Sequence, residues 1–179
     1  MICSDLTNAA SARSRHEHSS MKAIQRRIIA TPWASYAQPE WNGPNTMVEA
    51  LLTVCDATNP GTRKTAYDKL LYAVGNNHAG TYYPVLLPAM PFLGELIESE
   101  DTGPAATALC ILDDLFASFH PEPGHEEFTD PAGQRVALEK TFRATVVNLR
   151  PILELIASKG DANSKLAEGL IDLIMDEPS

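Results

Sequence analysis

Positive charge is what this sequence most conspicuously lacks. From Leu70 to Gln134 there is no lysine or arginine, yet Glu95, Glu98, Glu100, Asp101, Asp113, Asp114, Glu122, Glu126, Glu127 and Asp130 all fall in that stretch. The whole chain of 179 residues sets 14 Lys and Arg against 23 Asp and Glu, a formal net charge of -9. Such a surface repels nucleic-acid phosphates and favours basic partners. The imbalance is also uneven. Arg13, Arg15, Lys22, Arg26 and Arg27 lie in residues 1–30, so residues 31–179 carry nearly all the negative charge.

Cysteine is scarce too. Cys3 sits in a polar segment, Cys55 and Cys110 sit in apolar patterns, and no CxxC or Cys/His cluster suggests zinc. A disulfide framework is therefore not expected, and a reducing compartment is. No apolar run approaches the ~20 residues of a membrane span. The opening residues MICSDLTNAASARSRHEHSS lack the apolar centre of a secretory signal. The expected location is the cytoplasm, away from membranes. Sustained two-residue alternation is missing as well, and the one β-compatible patch, TYYPVLLP, is interrupted by Pro84 and Pro88.

What remains is helical periodicity. Residues 1–20 show no hydrophobic period and are expected to be a disordered extension, with Met21 an alternative start. Residues 21–179 read as a single domain. A short basic amphipathic helix is predicted over 22–29, followed by the connector PWASYAQPEWNGPN, whose Trp33, Tyr36 and Trp41 are expected to cap the end of a core. Met47, Leu51, Val54 and Cys55 recur at helical spacing over 46–57, with Asn45 or Thr46 as the cap. TNPGT breaks that run, and Ala66, Leu70, Ala73 and Val74 repeat the spacing up to Gly75. Pro88 or Pro91 is placed to open a helix carrying Phe92, Leu93, Leu96 and Ile97, and Pro104 to open one carrying Ala108, Leu109, Leu112, Leu115 and Phe116. Beyond the loop 119–130, Asp130 and Pro131 predict the start of a long helix toward Pro151, which kinks it or begins another. Gly160 ends that run, and Leu166, Leu170, Leu173 and Ile174 mark the last helix.

Self-comparison organises these helices. At an offset of 42 residues, Leu51 aligns with Leu93, Gly61 with Gly103, Thr65 with Thr107, Ala66 with Ala108 and Leu70 with Leu112. An offset of 58 then pairs Leu112 with Leu170, Leu115 with Leu173 and Phe116 with Ile174. The first period falls in the range of about 40–47 residues of HEAT and armadillo repeats. The expected fold is all-α, a short right-handed α-solenoid of helical hairpins.

No pattern in the chain carries catalysis. His120, His125, Glu126 and Glu127 include metal-binding types, but a Pro- and Gly-rich loop supplies no fixed ligand geometry. Asp113 and Asp114 are adjacent, so on a helix they point about 100° apart and make no acid/base dyad by themselves. GNNHAGTYY lacks the lysine of a phosphate-binding loop and follows no strand, so His78 is read as a residue that fixes its loop. No activated nucleophile is seen. Neither an enzyme nor a cofactor is expected. A helical-repeat DNA glycosylase would need a basic groove, which the 65 residues without Lys or Arg argue against. Carboxylates and aromatics suited to a basic protein partner are Glu95, Glu98, Asp101, Asp113, Asp114, Glu122, Glu126, Glu127, Tyr82 and Tyr83.

Two stretches carry a resemblance. Trp33-Ala34-Ser35-Tyr36, followed by a proline and a helix reaching Leu51 and Leu52, is one. Asn77-His78-Ala79-Gly80-Thr81-Tyr82-Tyr83, continuing to Ala89-Met90-Pro91-Phe92-Leu93, is the other. Together they resemble a bacterial family of HEAT-like repeat proteins over roughly residues 33–118, with an expanded connector and with Ala79 where a polar residue is expected. The resemblance implies a protein-binding module without catalytic residues, of the kind that serves as an immunity partner of bacterial toxins. The expected function is an immunity-like inhibitor, monomeric or homodimeric, that covers the active surface of a toxin; the alternative is a scaffold or regulatory adaptor.

Overall fold

The computed structural model describes residues 19–130 and 132–176. The expected extension over 1–20 lies almost wholly outside them, as does Cys3, while residues 19 and 20 already belong to a helix. That helix, α1, spans 19–30 among the described residues, longer than the expected 22–29, and buries Ile24 and Ile28 in the core. A 3-10 turn over Trp33–Ser35 follows, then α2 (Thr46–Cys55), α3 (Pro60–Val74), α4 (Leu86–Glu98), α5 (Thr102–Ser118), α6 (Leu138–Val147), α7 (Arg150–Ala157) and α8 (Ser164–Met175). The molecule is mostly helical.

The helices start where local chemistry allows. Asn59 caps α3 by accepting from the Thr62 amide at 3.1 Å while the Thr62 hydroxyl accepts from the Asn59 amide at 3.0 Å, with Pro60 in the first turn. Pro151 likewise begins α7 as a separate helix. The helix α4 starts earlier than either proline suggests, so Pro91 lies inside it. The 42-residue offset recurs in the helix starts: α3 begins at Pro60 and α5 at Thr102. Thr65 donates to the Gly61 carbonyl at 3.1 Å, and Thr107 repeats the same bond to Gly103 at 2.9 Å. Leu51, Leu93, Leu70, Leu112 and Leu170 are all fully buried.

The helices α2 with α3, α4 with α5, and α7 with α8 pack as pairs, and α5 also packs on α3 and α8. Gly103 makes one of these approaches possible. A Cβ there would lie 2.1 Å from the Ala57 carbonyl oxygen at the end of the α2–α3 pair.

Short strands accompany the helices and are compatible with the all-α expectation. A three-stranded clasp joins β1 (Gly75–Asn76) antiparallel to β2 (Thr81–Tyr82), which runs parallel to β3 (His120–Pro121); the register is Gly75 with Tyr82 and Tyr82 with Pro121. A hairpin of β4 (Glu127–Thr129) and β5 (Arg135–Ala137) occupies the start of the expected long helix, which begins only at Leu138. The reason is Asp130. Its carboxylate accepts from the amides of Ala132 at 2.9 Å and Gln134 at 2.8 Å, closing a turn rather than capping a helix. Gly133, at φ 82°, completes it.

Gly103→Ala and Gly75→Ala are expected to destabilise the fold by about 1–3 kcal/mol, because backbone must move to admit the new methyl. A Cβ at Gly75 would lie 1.9 Å from the Thr81 carbonyl oxygen. Gly169→Ala, inside α8 with nothing nearer than 3.8 Å, is expected to stabilise by about 0.5–1 kcal/mol. Thermal unfolding followed by circular dichroism checks both signs.

Candidate functional site

The last turn of α3 leaves the carbonyls of Leu71, Tyr72, Ala73 and Val74 without partners in the helix. All four are met from outside it. Gly75 donates its amide to Leu71, the Trp41 indole donates to Tyr72 at 3.1 Å, the Asn42 side-chain amide to Ala73 at 2.7 Å, and the Tyr83 amide to Val74 at 2.8 Å. The connector before α2 and the strand after α3 are thereby drawn to one place.

Aromatic rings collect there as a consequence. Trp41 lies 5.6 Å from Tyr72 with planes tilted by 45°, and 6.5 Å from Tyr83 in an edge-to-face contact at 81°. Tyr83 in turn lies 4.9 Å from the His125 ring. Trp41 is 43% exposed and Tyr72 54%, whereas Tyr83 and His125 are half-buried. The expectation that Trp41 caps a core is corrected: Trp33 does so, buried against Phe92 with its indole donating to Ile28 at 2.8 Å, but Trp41 faces solvent.

Two carboxylates border the row. Glu122 is positioned by its amide, which donates to the Tyr82 carbonyl at 2.8 Å, and by a hydrogen bond its side chain accepts from the Thr81 hydroxyl. Glu40, next to Trp41, is exposed. Burial, then Glu122, then Glu40 push the Tyr83 phenol above its ordinary value.

The ten residues selected from the sequence are distributed over several elements. Tyr82 is no surface anchor: it is fully buried, 5.2 Å from the Phe142 ring, whereas Tyr83, just past the end of β2, is half-buried. Its hydroxyl has no hydrogen-bond partner among the described residues. Glu95, on α4, pairs through both carboxylate oxygens with Arg27 of α1, whose guanidinium also lies 5.3 Å from the Phe92 ring. Its charge is therefore matched within the fold, and Arg27 is a docking residue of α1. Glu127 pairs with Arg135 across the β4–β5 hairpin at 2.5 Å. Glu98 and Asp101 are exposed where α4 turns into α5.

Asp113 and Asp114 are half-buried on α5. Asp114 accepts a hydrogen bond from the Tyr67 hydroxyl of α3, and burial followed by this bond raises the Tyr67 phenol. Burial and the Asp114 charge raise the Asp113 carboxyl above the ordinary aspartate value. Cys110 is half-buried one turn earlier, its thiol raised by burial and both aspartates, and burial pushes the Cys55 thiol up to about 12; neither is an activated thiolate. Among the described residues, no group of three His, Cys, Asp or Glu side chains is placed to hold a metal ion.

In the loop 119–130, Glu126 is exposed, and the backbone amides of Glu126 itself and Gly124 hold its carboxyl below the usual range. Beside this loop, an open groove of about 670 Å³ is bordered by His120, Glu126, Glu127, Glu139, Lys140 and Arg143. Its charges are mixed, with Arg143 donating to Glu139 at 3.0 Å and lying 4.7 Å from the Phe116 ring. His78 is exposed; Asn76 fixes that loop instead, accepting from the His78 and Ala79 amides at 3.1 and 3.2 Å.

Sequence reasoning missed Trp41, Tyr72 and Glu40. Tyr72 carried a signal: it falls off the stripe of Ala66, Leu70, Ala73 and Val74, so a large ring there had to point outward. Every member of the aromatic and acidic row comes from one of two stretches without Lys or Arg, residues 28–62 and 70–134. Among the described residues, no helix is long and apolar enough to cross a membrane. Comparison of the chain with protein-family models, with curated proteins and with solved structures finds no match.

Tyr82→Phe is expected to leave stability unchanged or raise it, since it removes a buried hydroxyl without a partner, whereas Tyr82→Ala costs about 3–5 kcal/mol through the cavity it leaves. Denaturant unfolding separates the two. Asp113→Asn is expected to raise the melting temperature at pH 7. A carboxyl whose folded pKa is raised binds more protons in the folded state, so stability falls as pH rises through that window. The difference between variant and parent should therefore shrink as pH is lowered toward and below the unfolded aspartate value of 3.8.

Proposed function

We propose that the protein is a non-catalytic protein-binding module that captures a basic protein, acting as an immunity-like inhibitor by covering a toxin's active surface. The observation that carries this reading is the aromatic row of exposed Trp41 and Tyr72 and half-buried Tyr83, bordered by Glu40 and Glu122 and drawn from stretches without a single lysine or arginine. Exposed aromatics supply anchoring area in protein interfaces, and surplus charge of one sign steers an oppositely charged partner toward them.

The arrangement of helices supports a repeat protein. Equal spacing of α3 and α5, the repeated threonine-to-glycine bond, and the serial packing of α3, α5 and α8 suit a short α-solenoid of hairpins, here stitched by small strands. The resemblance of Trp33–Tyr36 and Asn77–Tyr83 to bacterial HEAT-like repeat proteins suits the same reading and favours a cytoplasmic protein. A scaffold or adaptor would use the same surface without a toxin.

The test joins capture to phenotype. A partner recovered with the full chain from its source cells is expected to be basic, to arrest growth when expressed alone, and to be silenced when the two are expressed together. A captured partner without growth effect would favour the adaptor. Association should slow as salt rises, and joint replacement Glu98→Lys, Asp101→Lys and Glu126→Lys should slow it about tenfold. An association rate indifferent to both changes would remove the electrostatic part of the reading.

A further inference from the structure

We propose that the corner formed by Trp41 and Tyr83, walled by Tyr72 and rimmed by Glu40 and Glu122, seats one arginine side chain of the protein partner. This deepens the reading above and rests on it for the identity of the ligand as a protein. Three features converge on a cation. The first is the ring geometry: Trp41 meets Tyr72 at 45° and Tyr83 at 81°, so the rings form a corner instead of a flat platform, with Trp41 and Tyr72 exposed and Tyr83 half-buried between Trp41 and His125. A guanidinium can lie against one face and still direct N–H groups past the ring edge.

The second feature is unmatched charge. Glu40 is exposed, and Glu122 is held by a neutral hydroxyl, that of Thr81. The fields of both reach the Tyr83 ring, as the raised phenol of Tyr83 reflects. The nearest lysine or arginine along the elements that build the corner is Lys69, about one turn before Tyr72 on α3, while the neighbouring imidazole is that of His125, 4.9 Å from the Tyr83 ring. The third feature is the C-terminus of α3, whose Tyr72 and Val74 carbonyls accept from the Trp41 indole and the Tyr83 amide, so the negative end of the helix dipole is at the corner. Arginine is favoured over lysine because a planar fork can stack on a ring and reach carboxylates together. A sugar, which also binds aromatic rings, would stack on a flat face and gain little from two carboxylates.

The experiment uses the full chain and blocked single amino acids, N-acetylarginine amide against N-acetylcitrulline amide, with the two indole N–H resonances as reporters. Trp33 is buried and serves as the internal control. Saturable movement of the Trp41 indole with the arginine compound and not with citrulline is expected. Trp41→Ala and Tyr83→Leu should abolish binding, and Glu40→Gln with Glu122→Gln, which keeps the side-chain shapes, should weaken it about threefold or more. An unmoved Trp41 indole, equal response to citrulline, or movement with glucose alone would overturn the seat. The two readings fail separately. A captured protein partner that binds the Glu40→Gln, Glu122→Gln variant as tightly as the parent removes the arginine seat and leaves the protein-binding function standing. Arginine binding with no protein partner leaves the seat and removes that function.

Discussion

Four helix-terminal carbonyls organise this molecule. An α-helix cannot satisfy its own last carbonyls, and burying them unpaired costs free energy comparable to lost hydrogen bonds. The end of α3 meets one of them with the adjacent Gly75 amide and the other three with groups from elsewhere in the chain: an indole and an amide from the connector before α2, and the Tyr83 main-chain amide just past β2. Each donor brings its own chain segment. The connector is pinned across α3, β2 is pinned beside β1, and β2 then offers its other edge to β3 at the end of α5. Gly75 sits at the tightest point, where a side chain would collide with the Thr81 carbonyl. The aromatic row, exposed at Trp41 and Tyr72, is thus a by-product of closing a helix, and its rings are held by main-chain geometry. Trp33 uses the same device at the end of α1, where its indole accepts no role at the surface because Phe92 covers it.

The helical part of this architecture was legible because it is local. Stripes such as Leu51, Val54 and Cys55, or Leu109, Leu112 and Phe116, are set by a period of 3.6 residues and need no knowledge of distant partners. The 42-residue offset was legible for a related reason, since Thr65 and Thr107 bond back to Gly61 and Gly103 within one helix turn. The strands were not. Each is two or three residues long, too short for alternation to register, and β3 finds its partner 39 residues earlier, as Thr81 pairs with His120. Asp130 shows a subtler limit. Its side chain suits a helix cap and a tight turn equally well, and the turn it closes is joined by Phe128 facing Val136 and by the Glu127–Arg135 ion pair, contacts invisible to a local reading.

The candidate surface was half legible for the same reason. Tyr83 was identified, but its partners Trp41 and Tyr72 come from separate elements, and only the end of α3 brings them together. Tyr82 and Tyr83 are neighbours with different surroundings, Tyr82 packed on Phe142 in the core and Tyr83 half-buried beside Trp41 and His125, which composition does not decide. Among the carboxylates, sequence counted charge without knowing what each one faces. Glu95 answers Arg27 and Glu127 answers Arg135, so neither adds to the surplus field as its position in the cation-free stretch suggested.

The remaining carboxylates separate two tasks that net charge alone confuses. Asp114 and Glu122 accept hydrogen bonds from neutral hydroxyls, of Tyr67 and Thr81, which orient a carboxylate without cancelling its charge. Asp113, Glu98 and Asp101 lie in the same cation-free stretch, and Asp113 already shows the consequence in its raised carboxyl, since like charge and burial both oppose its ionisation. In the isolated chain this repulsion lowers stability; in the proposed complex the same repulsion is relieved by the partner's cations. Binding and folding are then linked, because a ligand that binds only the folded state stabilises it in proportion to its affinity. A sequence that kept lysines or arginines within 70–134 would be more stable alone and would give up that coupling.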